Sequence, residues 1–277
     1  MRPLISLTES DICKLQGVLF DLDDTLLTHG TLTREAYGAL WDLADAGLRL
    51  VAVTGRPSGW GEVLVRQWPI AAAVTENGAV WIAREGKRVR VIDSVSAEER
   101  RSRRMRLALL AEEIRQTVPE AALADDVASR VSDLAWDVSE HRKLAEPQID
   151  TILKTIRQAN GRTTRSSVHV HATFDGHDKA SGALAFLRYA WGEDETRARA
   201  QYAFVGDSEN DAACFAAFAV TIGVANVSEH LAHLSVPPRY ITNRARGSGF
   251  AELSQSIVKG RDLGADRRTG RETEREE

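Results

Sequence analysis

The sequence predicts a doubly wound α/β fold, a parallel sheet with helices on both faces, interrupted by an inserted α/β module. Short β-branched runs alternate with helix-like segments near both ends of the chain. The runs are almost wholly apolar, as strands covered on both faces must be. Between residues 84 and 175 the texture changes, and afterwards the first pattern resumes. The expected organisation is therefore a discontinuous core, 1–83 with 176–258, an inserted module at 84–175, and a disordered tail at 259–277, rich in Arg, Glu and Gly with no apolar stripe.

Taken in order, a strand at 17–20 leads to a helix at 33–47, a strand at 48–53, a helix at 58–68 and strands at 71–74 and 79–82, with connections suited to parallel pairing. The basic strand 87–92 opens the inserted module. Ser96 and Glu99 have capping-box spacing, and Leu107, Leu110, Ile114 and Val118 follow at helical steps. Arg100, Arg101, Arg103, Arg104 and Arg106 read as the solvated face of that helix rather than a phosphate or nucleic-acid patch. Strands at 131–138 and 167–174 flank a helix at 147–159. The core then resumes with a helix at 179–191, a strand at 202–205, a short helix after Asn210, a strand at 219–224 and a last helix at 250–258.

Composition narrows the function classes. Thirty-six Lys and Arg against forty Asp and Glu give a formal charge of −4, which offers no footprint for nucleic acid or an anionic membrane. No stretch approaches the roughly 20 apolar residues of a spanning helix, and the opening residues lack a signal-peptide pattern, so a cytoplasmic protein is expected. Cys13 and Cys214, far apart among apolar or small neighbours, read as buried fillers. A small-molecule substrate is expected, for a monomer or dimer.

Four stations carry the chemistry. The strand 17–20 runs into Asp21-Leu22-Asp23-Asp24-Thr25, which puts carboxylates at the carboxyl end of a parallel strand, where open α/β sheets bind ligands. The pentapeptide reads either as a polar turn with a helix cap or as a site for one hard cation and a phosphate. Thr54-Gly55-Arg56 follows the next strand with a hydroxyl and a glycine that admits backbone N–H groups to a phosphate oxygen. Lys179 opens a helix, and Asp207 and Asp211 follow the strand at 202–205. A fixed ammonium and a further carboxylate are what phosphoryl transfer with a divalent cation requires.

In this order the stations resemble the motifs of the haloacid dehalogenase superfamily: Asp-x-Asp-x-Thr, a strand-end Thr or Ser, a Lys, and Gly-Asp-x-x-x-Asp. The resemblance spans residues 17–224. It implies that Asp21 is a nucleophile forming an aspartyl-phosphate and that Asp23 is the acid and base. Thr54, Gly55 and Lys179 would bind phosphoryl oxygens. Asp21, the backbone carbonyl of Asp23, and Asp207 would hold Mg²⁺, with Asn210 and Asp211 behind them. An Asp at 23 suits a hydrolase, since dehalogenases typically lack it. The insertion between Thr54 and Lys179, preceded by Thr75-Glu-Asn-Gly-Ala79, is similar to the cap of the Cof-like IIB branch, which includes sugar phosphatases, sucrose-phosphate phosphatase and mannosyl-3-phosphoglycerate phosphatase.

Within the insertion, Ser167, His169, His171 and Thr173 share one strand face by period two, and Val168, Val170, Ala172 and Phe174 the other. If helices cover the apolar face, the histidines turn towards the core; otherwise they line a solvent face. Two histidines without a third ligand do not make a metal site. Arg56, Asn77 and His177 lie near the expected cleft. The expected activity is Mg²⁺-dependent hydrolysis of a small phosphorylated metabolite, a sugar or sugar-acid phosphate. A phosphomutase of the same branch, or a binding protein on a retired scaffold, are the alternatives.

Overall fold

A computed structural model describes residues 1–165 and 168–276, with side chains described through 264. The chain begins with β1 (Arg2–Pro3), α1 (Glu9–Lys14), β2 (Gly17–Phe20), α2 (Arg34–Asp45), β3 (Arg49–Val53), α3 (Ser58–Gln67), β4 (Ala72–Thr75), β5 (Val80–Glu85) and β6 (Arg88–Asp93). It continues with α4 (Ala97–Thr117), β7 (Ala122–Leu123), β8 (Asp133–Asp137), α5 (Glu146–Gln158), β9 (Arg162–Arg165) and β10 (His169–Thr173). It closes with α6 (Lys179–Trp191), α7 (Glu195–Gln201), β11 (Tyr202–Gly206), α8 (Ala212–Ala217), β12 (Val220–Gly223), β13 (Tyr240–Ile241) and α9 (Arg246–Glu276).

Nine strands form one sheet in the order β1-β13-β12-β11-β2-β3-β4-β5-β6. Neighbours from β1 to β4 pair parallel, and β5 and β6 add antiparallel. The reversal at β5 corrects the expectation of parallel pairing there, because the four residues 76–79 are too short for a crossover. Alternate strand residues feed two cores. Val18, Phe20, Leu50 and Ala52 pack with Leu40, Leu43, Phe250 and Leu253 on one face, and Leu19, Val51 and Phe204 pack with Phe186, Leu187 and Phe215 on the other. Asp21 thus leaves a central strand buried on both faces.

Strand β6 belongs to this sheet, whereas the sequence reading placed it in the inserted module. Glu85 pairs with Arg88 across Gly86, whose φ of +60° suits a two-residue hairpin turn. The second sheet is antiparallel, β7-β8-β10-β9. Leu107, Leu110 and Ile114 of α4 and Ile149, Ile152 and Ile156 of α5 cover one of its faces, against Leu134, Trp136, Val170 and Ala172. The predicted helical stripe is therefore the core of this unit.

Three further expectations are corrected. Arg100 is not on a solvated face: it is buried and bonds Asp93 (2.7 and 2.8 Å) and Asp175 (2.6 and 3.1 Å), while Arg103 adds a 2.8 Å bond to Asp175. These contacts tie together the two chain crossings between the sheets. The tail expected to be disordered over 259–277 is helical through 276, and residue 277 lies outside the described residues. Its start is docked: Arg261 donates to the carbonyl of Leu15 at 3.0 Å, and a Cβ on Gly260 would meet Ile12. Cys13 is half-buried rather than a core filler, whereas Cys214 is buried as expected.

One backbone contact sets where α6 begins. Gly78 has φ +108°, and a Cβ there would lie 2.3 Å from the carbonyl oxygen of Asp178; a Cβ on Gly182 would lie 2.3 Å from the Cα of Gly78. The Gly182→Ala substitution is expected to destabilise the protein by about 1–3 kcal/mol or more, as overpacking does. Equilibrium denaturation checks this, and a change below about 0.5 kcal/mol, the ordinary surface-substitution range, would contradict the close approach.

Candidate active site

The site is built at the carboxyl ends of β2, β3 and β11. The Asp21 N–H donates to the carbonyl of Val205 (2.9 Å), continuing the sheet one residue past β2. The chain then makes a wide turn closed by Leu27 N–H to the Leu22 carbonyl at 2.8 Å, with Asp24 left-handed at φ 54°. Leu22 and Leu26 are buried beneath this turn, so the carboxylates of Asp21 and Asp23 lie above the sheet edge.

Lys179 sits at the centre, its side chain 1% exposed. Its ammonium lies 2.8 Å from Asp21 Oδ1 and 2.8 Å from Asp211 Oδ1, and donates to Asn210 Oδ1 at 3.1 Å. Asp211 Oδ2 accepts the N–H groups of Asp207 (2.9 Å) and Ser208 (3.2 Å), which fixes the 207–211 turn. Asp207 in turn accepts from Thr25 Oγ1 on one oxygen and Asn226 Nδ2 on the other, both at 2.9 Å. Ligand oxygens of Asp21, Asp207 and Asp211 lie within 4.8 Å of one another. Three buried carboxylates thus face one ammonium, a donor set of hard oxygens that fits a divalent cation.

Electrostatics follow from this crowding. Burial pushes the Asp21 carboxyl up to about 7; Lys179 opposes the rise, and Asp211 and Asp23 add to it. Burial, then Asp211 and Asp21, also raise Asp207. For Lys179 burial acts downwards, but Asp21 and Asp211 outweigh it and hold the ammonium firmly charged.

On the other side, Thr54 is buried with its N–H on the Val74 carbonyl (2.8 Å), and its hydroxyl accepts the Arg56 N–H at 3.0 Å. Gly55 lies against Asn77, to whose Oδ1 a Cβ would come within 3.3 Å. The Arg56 guanidinium grips Asp23 through two bonds of 2.8 Å and lies 4.5 Å over the Trp60 ring. Asp21, Asp23, Arg56 and Asp207 line a cavity of about 930 Å³ that Glu140 and Arg165 close from the smaller sheet.

The covering helices lie on the apolar face of the smaller sheet, so the opposite face of β10 is turned to the core. His169 Nε2 lies 2.8 Å from Glu140, and His171 Nδ1 lies 3.0 Å from the buried Asp133. Burial pushes Asp133 up, but Arg130 and His171 outweigh it and hold its carboxyl below the ordinary value. Burial, then His171, lowers His169. His171, Asn77 and His177 line a second, polar cavity of about 70 Å³ that reaches Lys179 and Asn210. Ser167, expected on the same face, lies outside the described residues.

The structure thus brings Asp21, Asp23, Thr54, Gly55, Arg56, Lys179, Asp207, Asn210 and Asp211 to one sheet edge, with Asn77 beside Gly55. His169 reaches it only through Glu140. Asn226 escaped the sequence reading: besides Asp207 it binds the Asp24 carbonyl (3.0 Å), and its Oδ1 accepts the N–H of Arg246, whose guanidinium reaches Asp24 at 2.8 Å. Its place just past the strand at 219–224 was the available signal.

Residues 16–246 match the family model of sucrose-6F-phosphate phosphohydrolase. The chain belongs to this family, within the haloacid dehalogenase superfamily. A member of this family is a phosphatase of that superfamily's type. Solved structures share the fold. A Thermoplasma acidophilum protein superposes with a TM-score of 0.70 at 15% identity, over 88% of this chain and 98% of its own. A haloacid dehalogenase-like hydrolase from Bacteroides thetaiotaomicron gives 0.63 at 17%, over 88% and 99%. The sucrose-phosphatase of Synechocystis, solved with sucrose and phosphate, gives 0.62 at 15%, over 88% and 98%. No curated protein matches the chain. Among the described residues no helix is long and apolar enough to cross a membrane.

The raised Asp21 and Asp207 carboxyls have a thermodynamic consequence. Folded Asp21 titrates near 7 against an ordinary 3.8, so between these values the folded state binds more protons than the unfolded one. Without divalent cations, this pair is expected to make stability fall as pH rises from about 4 to 7, and Asp21→Asn is expected to flatten that slope. Denaturant midpoints across the range check it; a slope unchanged by the substitution would contradict the crowding.

Proposed function

We propose that this phosphatase hydrolyses a small phosphorylated metabolite, a sugar or sugar-acid phosphate, with Mg²⁺ and through an aspartyl-phosphate on Asp21. The observation that carries the reading is the buried Asp21 carboxylate held 2.8 Å from Lys179 at the floor of the large cavity, with Asp23 gripped by Arg56 at its side.

Asp21 attacks phosphorus as the bond to the leaving oxygen breaks, and the Asp23 carboxyl gives its proton to that oxygen. The Asp23 carboxylate then takes a proton from water, whose oxygen attacks phosphorus and releases phosphate and free Asp21. Lys179, the Thr54 hydroxyl and the Gly55 N–H hold the phosphoryl oxygens. An incoming phosphate competes for the Arg56 guanidinium and frees Asp23 for the transfer. Asp21, Asp207 and the carbonyl of Asp23 would hold Mg²⁺, which when bound offsets the repulsion between phosphate and carboxylate. Asp211 is better suited to holding Lys179 and the 207–208 amides, since both its oxygens are already engaged.

The leaving group faces Glu140 and Arg165 across the cavity, a polar surround that suits a hydroxyl-rich molecule. The family description and the sucrose held by a structural relative support the same class. His171 and Asn77, in the adjoining polar cavity, and His169 behind Glu140 would read its hydroxyls.

Phosphate release from a panel containing sucrose 6F-phosphate, mannosyl-3-phosphoglycerate and glucose 6-phosphate tests this. Turnover is expected with Mg²⁺ and not with chelator, and Asp21→Asn should abolish it. Asp23→Asn is expected to lose about 10²–10⁴-fold, the range of general acid–base catalysis. Release that needs a phosphorylated cosubstrate would instead show a mutase. His171→Ala should change the order of substrates more than turnover of p-nitrophenyl phosphate; equal losses on all esters would contradict a recognition role.

A further inference from the structure

Residues 129–133, which lead into β8 of the smaller sheet, lie directly on the loop that carries Thr54, Gly55 and Arg56. The Ser129 carbonyl accepts from Ser58 Oγ at 3.2 Å, and Arg130 Nη1 donates to the Gly55 carbonyl at 3.1 Å. Arg130 is itself fixed: its side chain is 1% exposed, paired with Asp126 at 2.8 Å and with Asp133 at 3.0 Å. A Cβ on Gly59 would come within 3.1 Å of the Ser129 Cβ, so the start of α3 packs directly against the Ser129 side chain.

Glu76 holds this junction from below. It is 3% exposed, and among the described residues its carboxylate gathers amide and hydroxyl donors from two segments, one at residue 58 and one at residues 131–132. Oε1 accepts the N–H of Ser58 (3.0 Å), at the start of α3, and that of Val131 (2.9 Å); Oε2 accepts the N–H and hydroxyl of Ser132. Its own N–H donates to the Arg56 carbonyl at 3.0 Å. Glu76 and Asn77 both adopt left-handed backbone, φ 50° and 53°, ahead of Gly78. Two successive non-glycine residues in that region persist only where the surroundings fix them. A buried carboxylate with four donors supplies that fixing, because losing any partner leaves a desolvated charge or amide.

We propose that Glu76 is a positioning residue that docks the 129–133 arm on the phosphate loop, and that this docking sets which leaving groups the site accepts. The second part rests on the phosphatase reading above. The arm runs into Asp133, which holds His171, so its seat on the core fixes the distance between the recognition face of the small sheet and the loop at 54–56. A compact aryl ester needs little from that face. A sugar phosphate spans the gap and needs both sides in register.

The test uses the full chain with Glu76→Gln and, separately, Ser132→Ala. Glutamine keeps the shape but turns an N–H₂ towards donors. Hydrogen exchange at the amides of 58, 131 and 132 is expected to rise by about tenfold in Glu76→Gln, the factor for losing one charge-assisted hydrogen bond, with β2 and β11 unchanged. KM for sucrose 6F-phosphate or glucose 6-phosphate should rise by a similar factor of about ten, while kcat/KM for p-nitrophenyl phosphate stays within about threefold. Unchanged exchange overturns the docking, and equal losses on both kinds of ester overturn the link to preference. If Glu76→Gln does not fold, Ser132→Ala carries the test, since it removes only one hydroxyl bond; the same split with a smaller rise is expected. Should the wild type turn over neither ester, the phosphatase reading falls and with it the preference, while exchange still decides the docking.

Discussion

The ammonium of Lys179 lies within 2.8 Å of both Asp21 and Asp211 in a setting almost without solvent. An unpaired charge buried there would cost several kcal/mol, so each member of the cluster depends on the others for its ionised form. The dependence extends outward. Asp211 spends its second oxygen on the amides of Asp207 and Ser208, which aims Asp207 at Asp21. Gly206 has to be glycine, because a Cβ would lie 2.4 Å from Asp211 Oδ2. Burial, with the neighbouring carboxylates adding to it, raises Asp21 and Asp207, and the cluster's shortage of positive charge makes the place fit for a divalent cation.

The position of Lys179 is set by backbone as much as by charge. Asp178 caps α6 through the Ser181 N–H at 2.8 Å, and the helix starts against the 76–78 turn by the contact of Gly182 with Gly78. The same turn presents Glu76 to the 129–133 arm and Asn77 to Gly55. Lys179, the loop at 54–56 and the polar face of β10 are therefore referenced to one short segment between β4 and β5. The buried Arg100–Asp93–Asp175 cluster fixes the chain crossings on the far side, so the small sheet is held at two separated places.

What the sequence made legible were features whose signal is local. Asp21, Thr54, Lys179 and Asp207 each follow a strand or open a helix, and a parallel sheet necessarily brings such positions to one edge. The stripe at Leu107, Leu110 and Ile114 was readable because helical period and burial coincide. Other features depend on distant partners. Arg100 looked solvated because its carboxylates, Asp93 and Asp175, are close in space but 82 residues apart in the chain. Glu76 passed as part of a turn, since nothing in Thr75-Glu-Asn-Gly-Ala announces an arm 55 residues further on. The hairpin at Gly86 carried a local signal that a change in texture overrode, and α9 outran its apolar stripe by docking on α1.

Detection of a phosphoryl group on Asp21 tests the central claim most directly. Enzyme mixed with sugar phosphate and Mg²⁺, quenched in acid within a single turnover and digested, is expected to yield a peptide containing residues 17–25 with one phosphoryl group on Asp21, sensitive to hydroxylamine as an acyl phosphate is. A full burst of inorganic phosphate with that peptide unmodified at every quench time, in the wild type and in Asp23→Asn, would contradict the account and assign the attack on phosphorus to water.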